Sequence, residues 1–359
     1  MTFLIAAAGT GGHVFPGLSV GEALLELGVP QHDIMFVGGD RLESEVYPSH
    51  GFRFLQVELA GLKRSLAIRN ARIPAVVMRA RARIATEMAT AGVGVALGMG
   101  GYVTIPTVLA ARSRRVPFFN AEQNAEAGLA NKIAARWARE TFVSFPHTGG
   151  LPGATWVGNP VRRVFWDFDR DTLRPGALDH YGMSDAMPTL GVFGGSLGAG
   201  VINESIAAIV ASWDGLPLQV VHLTGAPHID ALMGRPCAER VRWLRLGFED
   251  RMELFYAVSD VVVARAGGAV AELTATATPS ILVPGRFGSA GHQEGNARAL
   301  EGAGAALVVP EESLGDLGRV VGELLSDRVA REEMTVATRD ISKPQAALTI
   351  ARAMIEATR

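Results

Sequence analysis

A short apolar run, a glycine turn and an amphipathic stretch follow one another repeatedly along the chain. Such alternation predicts parallel strands covered by helices on both faces. In the first half it predicts a strand at residues 3–8, a turn at 9–12, a helix over 16–27 and further strands at 34–37, 93–97, 117–120 and 141–144. The pattern restarts with a strand at 190–193, a turn at 194–198 and a helix over 199–211. Strands at 218–224, 241–246, 261–264 and 280–283 follow, and 345–358 reads as a closing helix. The restart predicts two Rossmann-like α/β domains with a boundary near Gly158-Asn159-Pro160. These are residues 1–158 and 159–343, with helix 344–359 packing back on the first. Residues 161–188, rich in Asp, Arg and Pro, read as irregular.

Composition agrees with this picture. A chain of 359 residues favours two domains, and 48% apolar with 19% charged residues is an ordinary globular balance. The 34 basic and 36 acidic side chains leave a net charge of −2, which gives no general drive toward nucleic acid. The single cysteine, Cys237, excludes an internal disulfide framework and fits a reducing compartment. The N-terminus shows no basic leader, and no apolar run reaches the length of a membrane span. A cytoplasmic protein is expected, free to rest on a membrane surface.

Candidate chemistry sits on the glycine turns. Gly9-Thr10-Gly11-Gly12-His13 joins strand to helix, where backbone can approach an anion and helix amides point at it. The spacing is neither GxGxxG nor a P-loop, and a tight turn without ligand is equally compatible. His13 stands at the helix start, where a neutral imidazole suits a general base; bonding a phosphate or capping the helix is the alternative. Gly194-Gly195-Ser196-Leu197-Gly198-Ala199 repeats the device, and two such loops suggest a diphosphate bridging two domains. Downstream, Gly267-Gly268-Ala269-Val270-Ala271-Glu272 is again a glycine turn into a helix. There Glu272 could accept two ribose hydroxyl protons or merely favour the helix dipole. Gln293 and Asn296 could read sugar hydroxyls or cap a helix. The acidic pairs among Asp167, Asp169 and Asp171 read as solvated charge, not as a metal motif.

Taken in order and spacing, several blocks resemble the MurG family of glycosyltransferases over nearly the whole chain. They are Gly9-Thr10-Gly11-Gly12-His13-Val14-Phe15-Pro16, Met99-Gly100-Gly101-Tyr102-Val103, Glu122-Gln123-Asn124 with Gly128-Leu129-Ala130-Asn131-Lys132, Gly158-Asn159-Pro160-Val161-Arg162, and the two later glycine loops. The resemblance implies a GT-B fold, two Rossmann-like domains separated by a deep cleft. It implies inverting transfer of GlcNAc from UDP-GlcNAc to the C4 hydroxyl of MurNAc in lipid I, giving lipid II for peptidoglycan. By match to the family motifs, Thr10, Gly11 and Gly12 lie near the donor, and Asn124 reaches the GlcNAc. Arg162 and Ser196 contact the diphosphate region. Phe248 and Glu249 lie against the uracil edge through backbone, Gly267 to Glu272 hold ribose and phosphate, and Gln293 contacts the sugar. Gly100, Gly101 and Tyr102 fall on the acceptor side. No cofactor or metal is required, though a divalent cation could stimulate.

This sequence departs from the family pattern in three places. Ala121 stands where the family usually has histidine, Leu197 where glutamine is frequent, and His292 replaces a common glutamine. The first makes His13 the leading base, with Glu122 second. A lipid-linked acceptor requires membrane contact, for which the stretch from Leu62 to Ala85 is the candidate. It carries Lys63, Arg64, Arg69, Arg72, Arg79, Arg81 and Arg83 with no acid, interleaved with Leu66, Ile68, Ile73, Val76, Val77 and Met78. A surface helix packing on its sheet is the alternative. The expected location is the cytoplasmic face of the cell membrane. Three competing readings are a transferase with another acceptor, a UDP-GlcNAc epimerase-like protein and an NAD-dependent oxidoreductase. Against the last stand the glycine spacing and the late position of Asp40 after the second strand.

Overall fold

The computed structural model describes residues 1–58, 73–285 and 290–359. They divide into two compact units, Met1–Arg163 with Lys343–Arg359, and Val164–Ser342.

The first unit is built on strands β1 (Thr2–Ala6), β2 (Ile34–Gly38), β3 (Arg53–Gln56), β4 (Val93–Gly98), β5 (Phe118–Glu122), β6 (Glu140–Val143) and β7 (Thr155–Trp156). Their order is β3-β2-β1-β4-β5-β6-β7, and they pair in parallel, with Ile5 of β1 between Phe36 of β2 and Leu97 of β4. β1 and β2 are buried along their whole length, which is why they read as unbroken apolar runs. Around the sheet lie α1 (Gly11–Glu26), α2 (Glu43–Ser49), α3 (Ile73–Thr90), α4 (Thr104–Arg114) and α5 (Leu129–Ala134). The C-terminal helix, Ala346–Glu356, packs beside α1 and buries Ala347, Ile350, Ala351 and Met354.

Helix α1 begins at Gly11, earlier than the residue-16 start expected from Pro16. Thr10, extended at φ −117° and ψ 160°, is its N-cap, and Pro16 falls inside it. Glycine's weak helix propensity hides this first turn in the sequence. The helix lies close to the sheet because Gly17 and Gly21 face it. A Cβ at Gly21 would stand 2.6 Å from the Phe36 ring.

The units part between Arg163 and Val164, later than Gly158. Gly158 packs on Lys343, where a Cβ would lie 2.6 Å from the lysine Cβ. The Lys343 ammonium in turn sits 4.3 Å over the Trp156 ring. The segment through Arg162 therefore stays with the first unit.

The second unit has β8 (Thr189–Phe193), β9 (Leu218–Leu223), β10 (Val241–Leu246), β11 (Val261–Ala264), β12 (Ser280–Leu282) and β13 (Leu307–Val308), in the order β10-β9-β8-β11-β12-β13. All of these pairings are parallel. Its helices are α6 (Arg170–Tyr181), α7 (Gly200–Ala211), α8 (Ile229–Leu232), α9 (Met252–Val258), α10 (Ala269–Thr276), α11 (Ala290–Gly302), α12 (Leu317–Ser326) and α13 (Arg328–Asp340). Leu190, Val192, Val261 and Val263 of the sheet meet Ile202 and Ile206 of α7 and Val321 and Leu324 of α12 in one core.

Residues 161–188 are not irregular, since they hold α6. Asp169 is its N-cap, accepting from Asp171 N–H at 3.1 Å and from Thr172 Oγ1 at 2.6 Å. The Thr172 hydroxyl foremost holds this carboxyl below its usual range. Arg170 and Arg174 donate to the carbonyls of Ala257, Val258 and Ser259 at the end of α9 and pair with Asp260. The Asp/Arg pattern is thus helix-capping chemistry.

Candidate active site

In each sheet the strand order reverses beside the first strand, between β1 and β4 and between β8 and β11. Open α/β sheets hold ligands at that point, outside the carboxyl ends of the strands. The glycine loops fall there: Gly9 to Gly12 after β1, Gly100-Gly101 after β4, Gly194 to Gly198 after β8 and Gly267-Gly268 after β11. The expected residues divide between the two units. The first unit holds Thr10, Gly11, Gly12, His13, Gly100, Gly101, Tyr102, Glu122 and Asn124, with His13 against Gly100 and Gln123, and Glu122 bonded to Asn124. The second holds Ser196, Phe248, Glu249, Gly267 to Glu272 and Gln293. Arg162 belongs to the first unit, where its charge faces Glu22.

His13 is the third residue of α1, and its Nδ1 lies 2.9 Å from Gln123 Oε1. Gln123 Nε2 donates to the Ala121 carbonyl at 3.2 Å, so the amide turns its oxygen to the ring. An amide oxygen only accepts, which assigns the hydrogen to Nδ1 and the lone pair of the neutral ring to Nε2. The ring lies against the loop after β4. A Cβ at Gly100 would stand 3.0 Å from His13 Cε1, and one at Gly101 2.6 Å from the Ala8 carbonyl. Tyr102 beyond them is exposed.

Glu122, the other expected base, is buried and fully engaged. Oε1 accepts from Asn124 N–H at 3.0 Å and Asn124 Nδ2 at 2.9 Å. Oε2 accepts from Gly128 N–H at 2.9 Å and Asn131 Nδ2 at 2.8 Å. Four donors occupy both of its oxygens and make it a brace for the segment after β5. Gln123 and Asn131 stand in the family blocks quoted above, but nothing in their spacing announces these tasks.

A further carboxylate went unread in the sequence. Glu43, at the start of α2, is 1% exposed. Its Oε2 accepts from Gly9 N–H at 3.2 Å and its Oε1 from Gly39 N–H at 2.9 Å. Four residues on, Tyr47 donates to the carbonyls of Ala7 at 3.3 Å and Val14 at 3.2 Å. Burial, and then the Glu43 charge, push the Tyr47 phenol well above its usual range. The signal available was an acid a few residues after Gly38-Gly39.

In the second unit Gly198, at φ 76°, backs onto the Thr224 carbonyl with no room for a Cβ. Asn203 of α7 donates to that carbonyl at 2.9 Å, and its Oδ1 meets His222 Nε2 at 3.0 Å. His222 is fully buried. Burial, with the Arg245 charge second, pushes its imidazole down to about 3, so it is neutral. Ala199 is the N-cap of α7, and Ser196 and Leu197 are exposed before it. The first-turn amides of α7 have no partner within the helix.

The remaining residues are oriented by local bonds. Glu272, in the first turn of α10, accepts from Tyr256 OH at 3.0 Å. Gln293 Oε1 accepts from Gly285 N–H at 2.8 Å, and its Nε2 lies toward Gly267, 3.9 Å from where a Cβ there would stand. Asn296 is buried and donates to the Ala266 carbonyl at 3.1 Å, so it holds a loop. Phe248 is exposed. The Glu249 side chain accepts from Tyr181 OH at 2.8 Å and Arg251 N–H at 2.8 Å. Burial opposes its ionisation, but these bonds outweigh it and hold the carboxyl below its usual range. Of the loop before His292, residues 286–289 lie outside the described residues.

Among the described residues no group of three or more His, Cys, Asp or Glu side chains could hold a metal, and no helix is long and apolar enough to cross a membrane. Of the basic stretch from Leu62 to Ala85, residues 62–72 lie outside the described residues. In α3, Val76 turns inward with Ala80, Ile84, Ala85 and Met88, so its main apolar stripe packs on the sheet. Met78, Arg79 and Arg83 stay exposed.

Two such sheets, with glycine loops at both reversal points, define the GT-B class of fold. The glycosyltransferase family 28 N-terminal domain model matches residues 3–143 and the C-terminal domain model residues 189–350. The chain belongs to glycosyltransferase family 28. It is 36% identical to a UDP-N-acetylglucosamine–N-acetylmuramyl-(pentapeptide) pyrophosphoryl-undecaprenol N-acetylglucosamine transferase of Nocardia farcinica, over 100% of this chain and 96% of that one. A transferase of the same name from Aromatoleum aromaticum is also 36% identical, over 98% and 96%. The crystal structure of Acinetobacter baumannii MurG superposes with a TM-score of 0.82 at 25% identity, over 99% of this chain and 100% of that chain.

Proposed function

We propose that this enzyme transfers GlcNAc from UDP-GlcNAc to the C4 hydroxyl of the muramoyl sugar of lipid I, giving lipid II. The observation that carries the reading is its end-to-end similarity to transferases of that name. His13 Nε2 takes the C4 hydroxyl proton as the oxygen attacks C1 of GlcNAc. The C1–O bond to UDP breaks, UDP leaves with the electron pair, and C1 inverts. Charge building on the diphosphate is met by the α7 amides, Ser196 and Arg162, so the scheme needs no metal. Glu272 accepts ribose hydroxyl protons, Gln293 donates to the sugar and Asn124 reaches the GlcNAc. Backbone at Phe248 and Glu249 meets uracil. Thr10, Gly11 and Gly12 lie near the donor, and Gly100, Gly101 and Tyr102 face the acceptor.

The test is incubation with UDP-GlcNAc and a lipid I analogue. UDP release that requires both supports the reading. Release without acceptor, or conversion of UDP-GlcNAc to its C2 epimer, overturns it. We also propose peripheral contact with the cytoplasmic leaflet through the stretch from Leu62 to Ala85, with Arg79 and Arg83 among its charges. Reversing Lys63, Arg64, Arg79 and Arg83 should abolish sedimentation with anionic vesicles; unchanged sedimentation counts against the contact.

A further inference from the structure

We propose that Glu43 is a positioning residue of the transferase site, setting the course of the first glycine loop and through it the stance of His13. The inference rests on the reading of His13 as the base. The two amides Glu43 holds, Gly9 and Gly39, follow the carboxyl ends of the adjacent strands β1 and β2. One buried carboxylate therefore fixes the separation of two loops. Gly9 immediately precedes Thr10, and the N–H groups of His13 and Val14 both donate to the Thr10 carbonyl, at 3.0 and 3.1 Å. Movement of Gly9 passes along this hydrogen-bonded turn to the imidazole. The side chain of His13 is held separately by Gln123 at 2.9 Å. The base is thus positioned from two sides, and misplacement of a reacting group by about 1 Å costs on the order of 10²-fold in rate.

Only a carboxylate of this length meets both amides. A glutamine would set its NH2 against one of two N–H donors, and an aspartate is one methylene short. Gly38 lies under the Glu43 stem, where a Cβ would stand 2.7 Å from Glu43 Cγ. Tyr47 supplies the control. It braces the same region through Ala7 and Val14 and stacks on Phe36 at 4.0 Å, but it does not touch Gly9 N–H. A general loss of support should follow from Tyr47→Phe as well, whereas loss of the loop's course should follow from Glu43 alone.

The experiment measures kcat and KM with UDP-GlcNAc and a lipid I analogue for wild type, Glu43→Gln, Glu43→Asp and Tyr47→Phe. Melting temperature and amide hydrogen exchange at Gly9 and Gly39 are recorded on the same proteins. Glu43→Gln should lower kcat about 10- to 100-fold, with KM for UDP-GlcNAc within about threefold. Exchange at Gly9 or Gly39 should quicken. Tyr47→Phe should lower the melting temperature with kcat within about threefold of wild type. The proposal is overturned if Glu43→Gln keeps wild-type kcat. It also fails if kcat falls without faster exchange, or if Tyr47→Phe loses as much kcat at equal loss of stability. Should Glu43→Gln not fold, Glu43→Asp carries the same criteria. A wild-type protein that releases no UDP with acceptor present defeats the functional reading instead, and the exchange data still test the clamp.

Discussion

The loop after β1 and the loop after β8 occupy the same station in their sheets, yet different groups stand behind them. Behind the first is the Glu43 carboxylate, 3.2 Å from Gly9 N–H. Behind the second are the Asn203 amide, the neutral imidazole of His222 and the Thr224 carbonyl, joined by bonds of 2.9 and 3.0 Å. A buried negative charge repels a phosphate over several ångströms, by about 4 kcal/mol at 4 Å in partly screened surroundings. The comparison therefore argues for different tasks. The second loop suits the diphosphate of the donor, and the first suits proton transfer from a neutral hydroxyl. Similar glycine spelling does not imply similar electrostatics.

The comparison can be broken in several ways. The largest effect is expected from His13→Ala, which should lower turnover by about 10²–10⁴-fold. Calorimetric affinity for UDP-GlcNAc should stay within a few-fold, and a matching loss of affinity would make His13 a donor ligand and not the base. Gly198→Ala sets a methyl against the Thr224 carbonyl at a positive φ. It should weaken UDP-GlcNAc binding by about 10²-fold, and turnover lost at normal affinity would contradict the division of labour. Glu272→Gln keeps an acceptor for the Tyr256 hydroxyl but loses charge toward the ribose. A roughly tenfold rise in KM for UDP-GlcNAc is expected, with kcat little changed.

The smallest effect concerns the neutral brace itself. The His222 imidazole falls from 6.5 to about 3 in the folded unit. The unfolded chain then binds the proton first. The stability tied to neutral His222 is complete above pH 6.5 and is lost as pH falls toward about 3, by at most about 1.4 kcal/mol per pH unit. Urea midpoints between pH 7.5 and 5 should drop for wild type and drop less for His222→Gln. Parallel curves would show that this imidazole is not the titrating group.

Much of this was legible in the sequence, and the failures have physical causes. The buried strands of both units stand within a residue or two of where their apolar runs end, because strands covered on both faces carry an unbroken signal. β3, β7 and β13 escaped because they are short and half-exposed. α6 escaped because Pro175 and a dense charge pattern masked a helix whose charges cap its own start and the end of α9. The loops that carry the site were visible as glycine clusters. What aims them was not. Glu43, Gln123 and Asn203 act on residues 34, 110 and 21 positions away along the chain, and no local pattern encodes such partners.

The corner that Glu43 fills has one more meaning. Rossmann domains that bind dinucleotides keep an acid near the end of the second strand, facing outward to grip the ribose of the cofactor. Here Asp40, two residues past the second strand, stays exposed, whereas Glu43 is turned inward onto the protein's own amides. The carboxylate that braces the first loop is therefore withdrawn from any ligand. A redesign toward nicotinamide binding would have to work with Asp40, or free Glu43 and find another tie for Gly9.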